Sequence, residues 1–144
     1  MDPLDDPKIP TRLKLAALWT STLFCYIYCD YFELYVPGKL QDMLASQFGP
    51  LGATSQGNLL GAGLMMAVAS LMIVASVLAP APLSRWTNIV FGALFTAMMA
   101  MLAFAAGWHF YKAFAVIEAL LTACAVRVAW RWPRASSASS SGAG

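Results

Sequence analysis

Charged side chains are scarce in this chain: they make up 11% of its 144 residues, against 60% hydrophobic ones. A soluble domain carries about 25% charge, and a chain of this size has too little polar surface to hide four long apolar runs. That scarcity excludes a water-soluble globule and makes lipid the expected solvent. Cations are few as well, with a net charge of +2. They stand singly near the ends of the apolar runs, with no basic patch or interleaved aromatics, so nucleic acid is not an expected partner. Histidine is nearly absent. With His109 alone and no C-x-x-C-H run, a haem would have no ligand set. Cys25, Cys29 and Cys124 fall inside apolar runs and lack the C-x-x-C spacing of a thiol redox site. No enzyme motif is present, so the expectation is a protein that is not an enzyme and carries no cofactor and no metal.

What is there is an all-α pattern, expected to form a four-transmembrane-helix bundle of up-down-up-down topology. The first span covers about residues 15–35, roughly 30 Å of helix, and Pro37 with Gly38 ends it. Residues 39–48 place Leu40, Met43, Leu44 and Phe48 opposite Gln41, Asp42 and Gln47, the pattern of a short amphipathic helix at the interface. After a loop, in which Thr54 or Ser55 is a candidate cap, comes the second span, residues 58–78. Gly57 and Gly61 form one small-xxx-small pair near its start. Pro80 and Pro82 force a tight connection to the third span, residues 89–106. Trp86 and Trp108 bracket that span roughly 33 Å apart along a helix, as an interfacial aromatic belt would. A short hairpin leads to the fourth span, residues 110–128. The Ser/Ala/Gly tail, 133–144, has nothing to bury and is expected to be disordered.

The cations also orient the bundle. Lys8, Arg12, Lys14, Arg85, Arg127, Arg131 and Arg134 fall on one side, Lys39 and Lys112 on the other, so the positive-inside rule assigns N-in and C-in. The N-terminal segment, 1–14, is polar, acidic and broken by prolines, and no cleavage site follows a short apolar core. The first helix is therefore expected to be retained, in a multi-pass protein of a bacterial inner membrane.

Asp30, Glu33 and Glu118 lie within otherwise apolar spans. A carboxylate at membrane depth costs a few kcal/mol or more unless it is paired, protonated or solvated. The first span aligns Thr22, Tyr26, Cys29 and Glu33 on one stripe with Asp30 beside it, and the fourth aligns Tyr111, Ala115, Glu118, Thr122 and Ala125. Under the N-in topology Asp30 and Glu118 are expected at similar depth, roughly 8–10 Å below the outer surface. With first and fourth helices as neighbours, the three acids would gather around a cavity open to the outer side and share protons or hold a cation. Tyr26 and Tyr31 are candidate donors to them, and His109 is a candidate proton relay at the mouth. A plainer reading stands beside this one. Asp30 and Glu33 can reach water or pair with Lys39 or Lys112, and intramembrane polar residues also act as interhelical glue worth about 1 kcal/mol. A mixed metal site of Cys29, Asp30, Glu33 and His109 is the weaker alternative. The methionines of the second and third spans, Met65, Met66, Met72, Met98, Met99 and Met101, read as flexible packing.

Several landmarks occur in a fixed order: LAALW at 15–19, Asp30, LYVPG at 34–38, RWTNI at 85–89, Glu118 and WRW at 130–132. Together they resemble a family of small, uncharacterised four-helix bacterial membrane proteins, a domain of unknown function, over about residues 12–132. The resemblance implies the four-helix architecture and adds no reaction. It also implies an acidic residue early in the second helix, where this chain has Met66. The expected partner is the lipid bilayer, with a homo-oligomer or another membrane protein as further candidates. Two functions follow as expectations. One is binding of a cation, proton or small lipophilic ligand at Tyr26, Asp30, Glu33, His109, Glu118 and Thr122. The other is an accessory or scaffold role through the helix faces.

Overall fold

Proline and glycine positions set most of the helix boundaries in the computed structural model, which describes residues 7–49 and 52–133. Five helices follow one another: α1 (Thr11–Glu33), α2 (Lys39–Leu44), α3 (Gln56–Leu78), α4 (Ala81–Ala105) and α5 (His109–Trp130). Among the described residues there is no strand beyond an isolated bridge between Gln47 and Ala53. Residues 1–6 of the N-terminal segment, and the tail from 134 onward, lie outside the described residues.

α1 starts directly after Pro10, whose carbonyl accepts from Lys14 N at 3.2 Å. Its far end lies two residues before the expected limit. The N–H groups of Leu34, Tyr35 and Val36 bond back three residues, to Tyr31, Phe32 and Glu33, a tightened turn that leads into Pro37. Gly38 then takes φ +85°, a left-handed turn open to glycine at little cost, and the chain reverses into α2. α2 is shorter than the expected stretch 39–48, because Ser46 adopts φ +58° and Gln47 turns to bridge Ala53. Ser55 caps α3, its Oγ accepting from Asn58 N at 3.1 Å. α4 begins eight residues before the expected start of the third span. Pro82 lies in its first turn, where a missing N–H costs nothing, so only Ala79 and Pro80 connect α3 to α4.

α3, α4 and α5 are each long and apolar enough to cross a membrane. α1 equals α3 in length, but it carries Arg12, Lys14, Asp30 and Glu33 and is not among those three. Many large apolar side chains point away from the protein, among them Phe24, Leu71, Leu94, Phe104 and Leu120. A belt of this kind suits lipid and would drive aggregation in water.

α1 packs on α3 and α5, and α4 packs on the same two helices. The core between them holds Trp19, Tyr26, Ala69, Met72, Phe95 and Met99, with Trp19 edge-on to Phe95 at 5.5 Å between ring centres. α4 and α5 approach closely at Gly92. A Cβ there would stand 2.8 Å from Val126 Cγ2 and 3.3 Å from the Thr122 carbonyl oxygen.

The two ends of the molecule differ. At one, Arg12 Nη1 donates to the carbonyls of Val77 and Ala79, both at 2.7 Å, closing the C-terminus of α3, and its guanidinium lies 5.7 Å from the Trp132 ring centre. Just inside this Arg12 end lies a polar knot with no exposed surface. Trp19 Nε1 donates to Asn88 Oδ1 at 2.7 Å, and Asn88 Nδ2 donates to the Ser84 carbonyl at 2.7 Å and to Ser76 Oγ at 3.1 Å. Ser76 Oγ in turn donates to the Met72 carbonyl. The opposite end, where α1 finishes and α2 lies, carries Lys39.

Candidate functional site

A cavity of about 460 Å³ opens at the Lys39 end. α1 supplies Tyr26, Cys29, Asp30 and Glu33 to its wall; α5 supplies Tyr111, Ala115 and Glu118. α3 and α4 contribute apolar surface through Met65, Met66, Met99 and Leu102, and Lys39, Met43 and Phe48 come from α2 and the loop after it. The structure therefore brings Asp30, Glu33 and Glu118 to one cavity, with Tyr26 beside them.

Asp30 and Glu118, expected at similar depth, lie at different distances from the ends of their own helices. Because α1 ends at Glu33 and α5 starts at His109, Asp30 sits about three residues, roughly 5 Å, from its helix end, whereas Glu118 sits about nine residues, roughly 14 Å, from its own. Asp30 is exposed, Glu33 is half-buried, and Glu118 is 3% exposed. The cavity is a well with two carboxyls at its rim and one at its floor.

Their partners differ in the same order. At the rim, Lys39 Nζ donates to Glu33 Oε1 at 2.6 Å, the pairing that the plainer sequence reading anticipated. At the floor, Glu118 Oε1 and Tyr26 Oη are both buried with no hydrogen-bond partner. Buried polar atoms nearly always have one.

Three expected participants lie elsewhere. Thr122 is buried but turned to α4, where its Oγ1 meets Thr96 Oγ1 at 2.8 Å; it also donates to the Glu118 carbonyl at 2.9 Å. It braces the helix that carries Glu118 and does not line the cavity. His109 is exposed at the first residue of α5, outside the lining. Tyr31 lies on the exposed face of α1, five residues round from Tyr26, and its hydroxyl pairs with that of Tyr35 at 2.9 Å, not with an acid. Among the described residues no three His, Cys, Asp or Glu side chains stand close enough to hold a metal ion, so Cys29, Asp30, Glu33 and His109 are not gathered into a site.

The sequence reading did not single out Lys39, Met65 or Met66 as wall residues. Tyr111 was visible on the Glu118 stripe but was given no role. Met66 stands where the resemblance implies an acid; here it adds apolar wall instead.

Residues 9–139 match a family of unknown function, DUF6326. The chain belongs to this family. No curated protein and no solved structure matches it. Two of the landmarks that carried the resemblance to the DUF6326 family meet in the structure: Trp19 of LAALW donates to Asn88 of RWTNI. The closing WRW contributes Trp132, which lies by the Arg12 guanidinium. Those motifs serve the fold at the Arg12 end, and Asp30 and Glu118 belong to the cavity.

Proposed function

We propose that this DUF6326 protein is a multi-pass protein of a bacterial inner membrane, with four spans, both termini inside and α2 lying amphipathically at the outer interface. Its activity is non-enzymatic: the acidic cavity faces outward and binds a cation, a proton or a small lipophilic ligand. The observation that carries this reading is the orphaned Glu118 Oε1 on the floor of a 460 Å³ cavity. An unpaired buried carboxyl is costly to keep for stability alone, and the cavity volume falls within the roughly 300–1,000 Å³ of small-molecule sites.

Mass spectrometry of the intact protein extracted with its native lipids tests it. The expected result is a small molecule or ion retained by the wild type and lost in Glu118→Gln, with the helical spectrum unchanged. Identical retention in both proteins overturns the reading.

A second reading rests on a different observation. A Cβ added at Gly61 would meet nothing within 4 Å, so Gly61 makes no close helix contact among the described residues. A second copy or another membrane protein packing there would make the chain an accessory or scaffold subunit. The same spectra separate the two: loss of a partner chain in Gly61→Leu, with the small ligand kept, favours this reading.

A further inference from the structure

The cavity's chemistry narrows the ligand class, and this step rests on the pocket reading above. We propose that the ligand is a lipophilic amine, an ammonium group on an apolar body, with the ammonium at Glu118 and the body along the methionine wall.

The floor combines a carboxyl oxygen and a phenol oxygen, Glu118 Oε1 and Tyr26 Oη, both buried and both without a partner. An ammonium carries several N–H donors and a charge, so it suits a wall with more than one unpaired oxygen, and charge-assisted bonds of this type are about twice as strong as neutral ones. Tyr111 and Phe48 also line the cavity, and the face of an aromatic ring attracts cations. The cavity already holds one ammonium, that of Lys39, against Glu33. Lys39 is ion-paired with Glu33 and with neither Asp30 nor Glu118; of those two, Glu118 is the buried one.

The volume argues against a bare ion. At about 30 Å³ per water-sized group, 460 Å³ has room for on the order of fifteen heavy atoms. A single inorganic cation would leave Met65, Met66, Met99 and Leu102 lining empty or wetted space. Flexible thioether side chains adapt to irregular apolar bodies, and the roll of methionines here fits such a ligand. The amine has two sources, a free molecule or the headgroup of phosphatidylethanolamine, and the chemistry recognised is the same.

The test uses the full chain in nanodiscs of phosphatidylglycerol, a lipid without an amine, titrated calorimetrically against empty discs. The probes are 4-phenylbutylamine, the isosteric 4-phenylbutanol and sodium ion. Saturable one-to-one binding of the amine is expected, at least about tenfold tighter than the alcohol and weakened at least about tenfold by Glu118→Gln. The alcohol comparison uses wild-type protein alone, so it stands even if the variant misfolds. Met66→Trp, which fills part of the apolar wall, is expected to weaken the amine as well. Discs containing phosphatidylethanolamine assign the source: a weakened apparent affinity for 4-phenylbutylamine identifies the headgroup, and an unchanged one identifies a free amine.

The proposal is overturned if the alcohol binds as tightly as the amine or if Glu118→Gln binds the amine undiminished. Glu118-dependent binding of the alcohol or of sodium, without the amine, removes the amine assignment and leaves the pocket reading intact. If no probe binds and the native protein retains nothing that Glu118→Gln loses, both fall.

Discussion

The two buried polar sites of this molecule are built on opposite principles. At the Arg12 end, Trp19, Ser76, Ser84 and Asn88 satisfy one another with no exposed surface. At the Lys39 end, Glu118 and Tyr26 are also buried, but each leaves an oxygen without a partner in the wall of a cavity. A polar group that holds helices together closes its hydrogen bonds internally, because an orphaned partner costs about 1–3 kcal/mol. A polar group that serves a ligand leaves the bond for the ligand to make. The contrast predicts opposite signs for similar substitutions at the two ends.

The largest effect is expected from Asn88→Leu, a change of little volume. It removes the acceptor of Trp19 Nε1 and strands that N–H among Ser76, Ser84 and the α3–α4 contact. The cost should be about 1–3 kcal/mol, seen as a lower unfolding midpoint in detergent, with ligand retention unchanged in the fraction that stays folded. Unaltered stability would show that the knot does not hold α1 to α4.

Glu118→Leu should move the other way. It deletes a buried, unpartnered carboxyl and adds apolar surface among Ala115, Met99 and Leu102, so stability should rise by about 1 kcal/mol while ligand retention is abolished. Gain of stability with loss of binding marks a functional residue. A loss of stability would instead place Glu118 with Asn88, as a packing residue.

The sequence made the acidic end more legible than the polar knot, for a physical reason. Acids inside apolar runs are conspicuous by composition, and helical periodicity alone puts Tyr26 with Glu33 and Tyr111 with Glu118 on single stripes. Distance from the helix end was not legible. It depended on where α1 stops, and the tightened turn before Pro37 moved that point inward by two residues. α4's early start was hidden because Pro82 reads as a break from sequence yet is harmless in a helix's first turn. Ser76 and Ser84 gave no signal at all, since short neutral side chains near span ends look the same whether they face water or one another, and Asn88 appeared only within the RWTNI landmark. Trp19 stood out only as part of a landmark motif. Its bond to Asn88 is a contact across 69 positions, which no local pattern encodes.

The smallest expected effect concerns the rim. Lys39 and Glu33 are each about a quarter to a third exposed, so their ion pair should contribute no more than about 1 kcal/mol. Lys39→Met should therefore leave the unfolding midpoint nearly unchanged. Its effect on binding is more informative than its effect on stability. If Lys39 is an internal ammonium competing for the acids of the well, removing it should tighten 4-phenylbutylamine binding, by roughly two- to fivefold on that energy scale. The Lys39 charge also repels an incoming cation, which acts in the same direction. A weaker affinity would mean that the aliphatic stem of Lys39 is wall for the ligand body, with the ammonium directed away from the bound amine. Titrating Lys39→Met beside Lys39→Arg separates charge from stem: arginine keeps the cation, so competition predicts wild-type affinity for it and tighter binding for methionine alone.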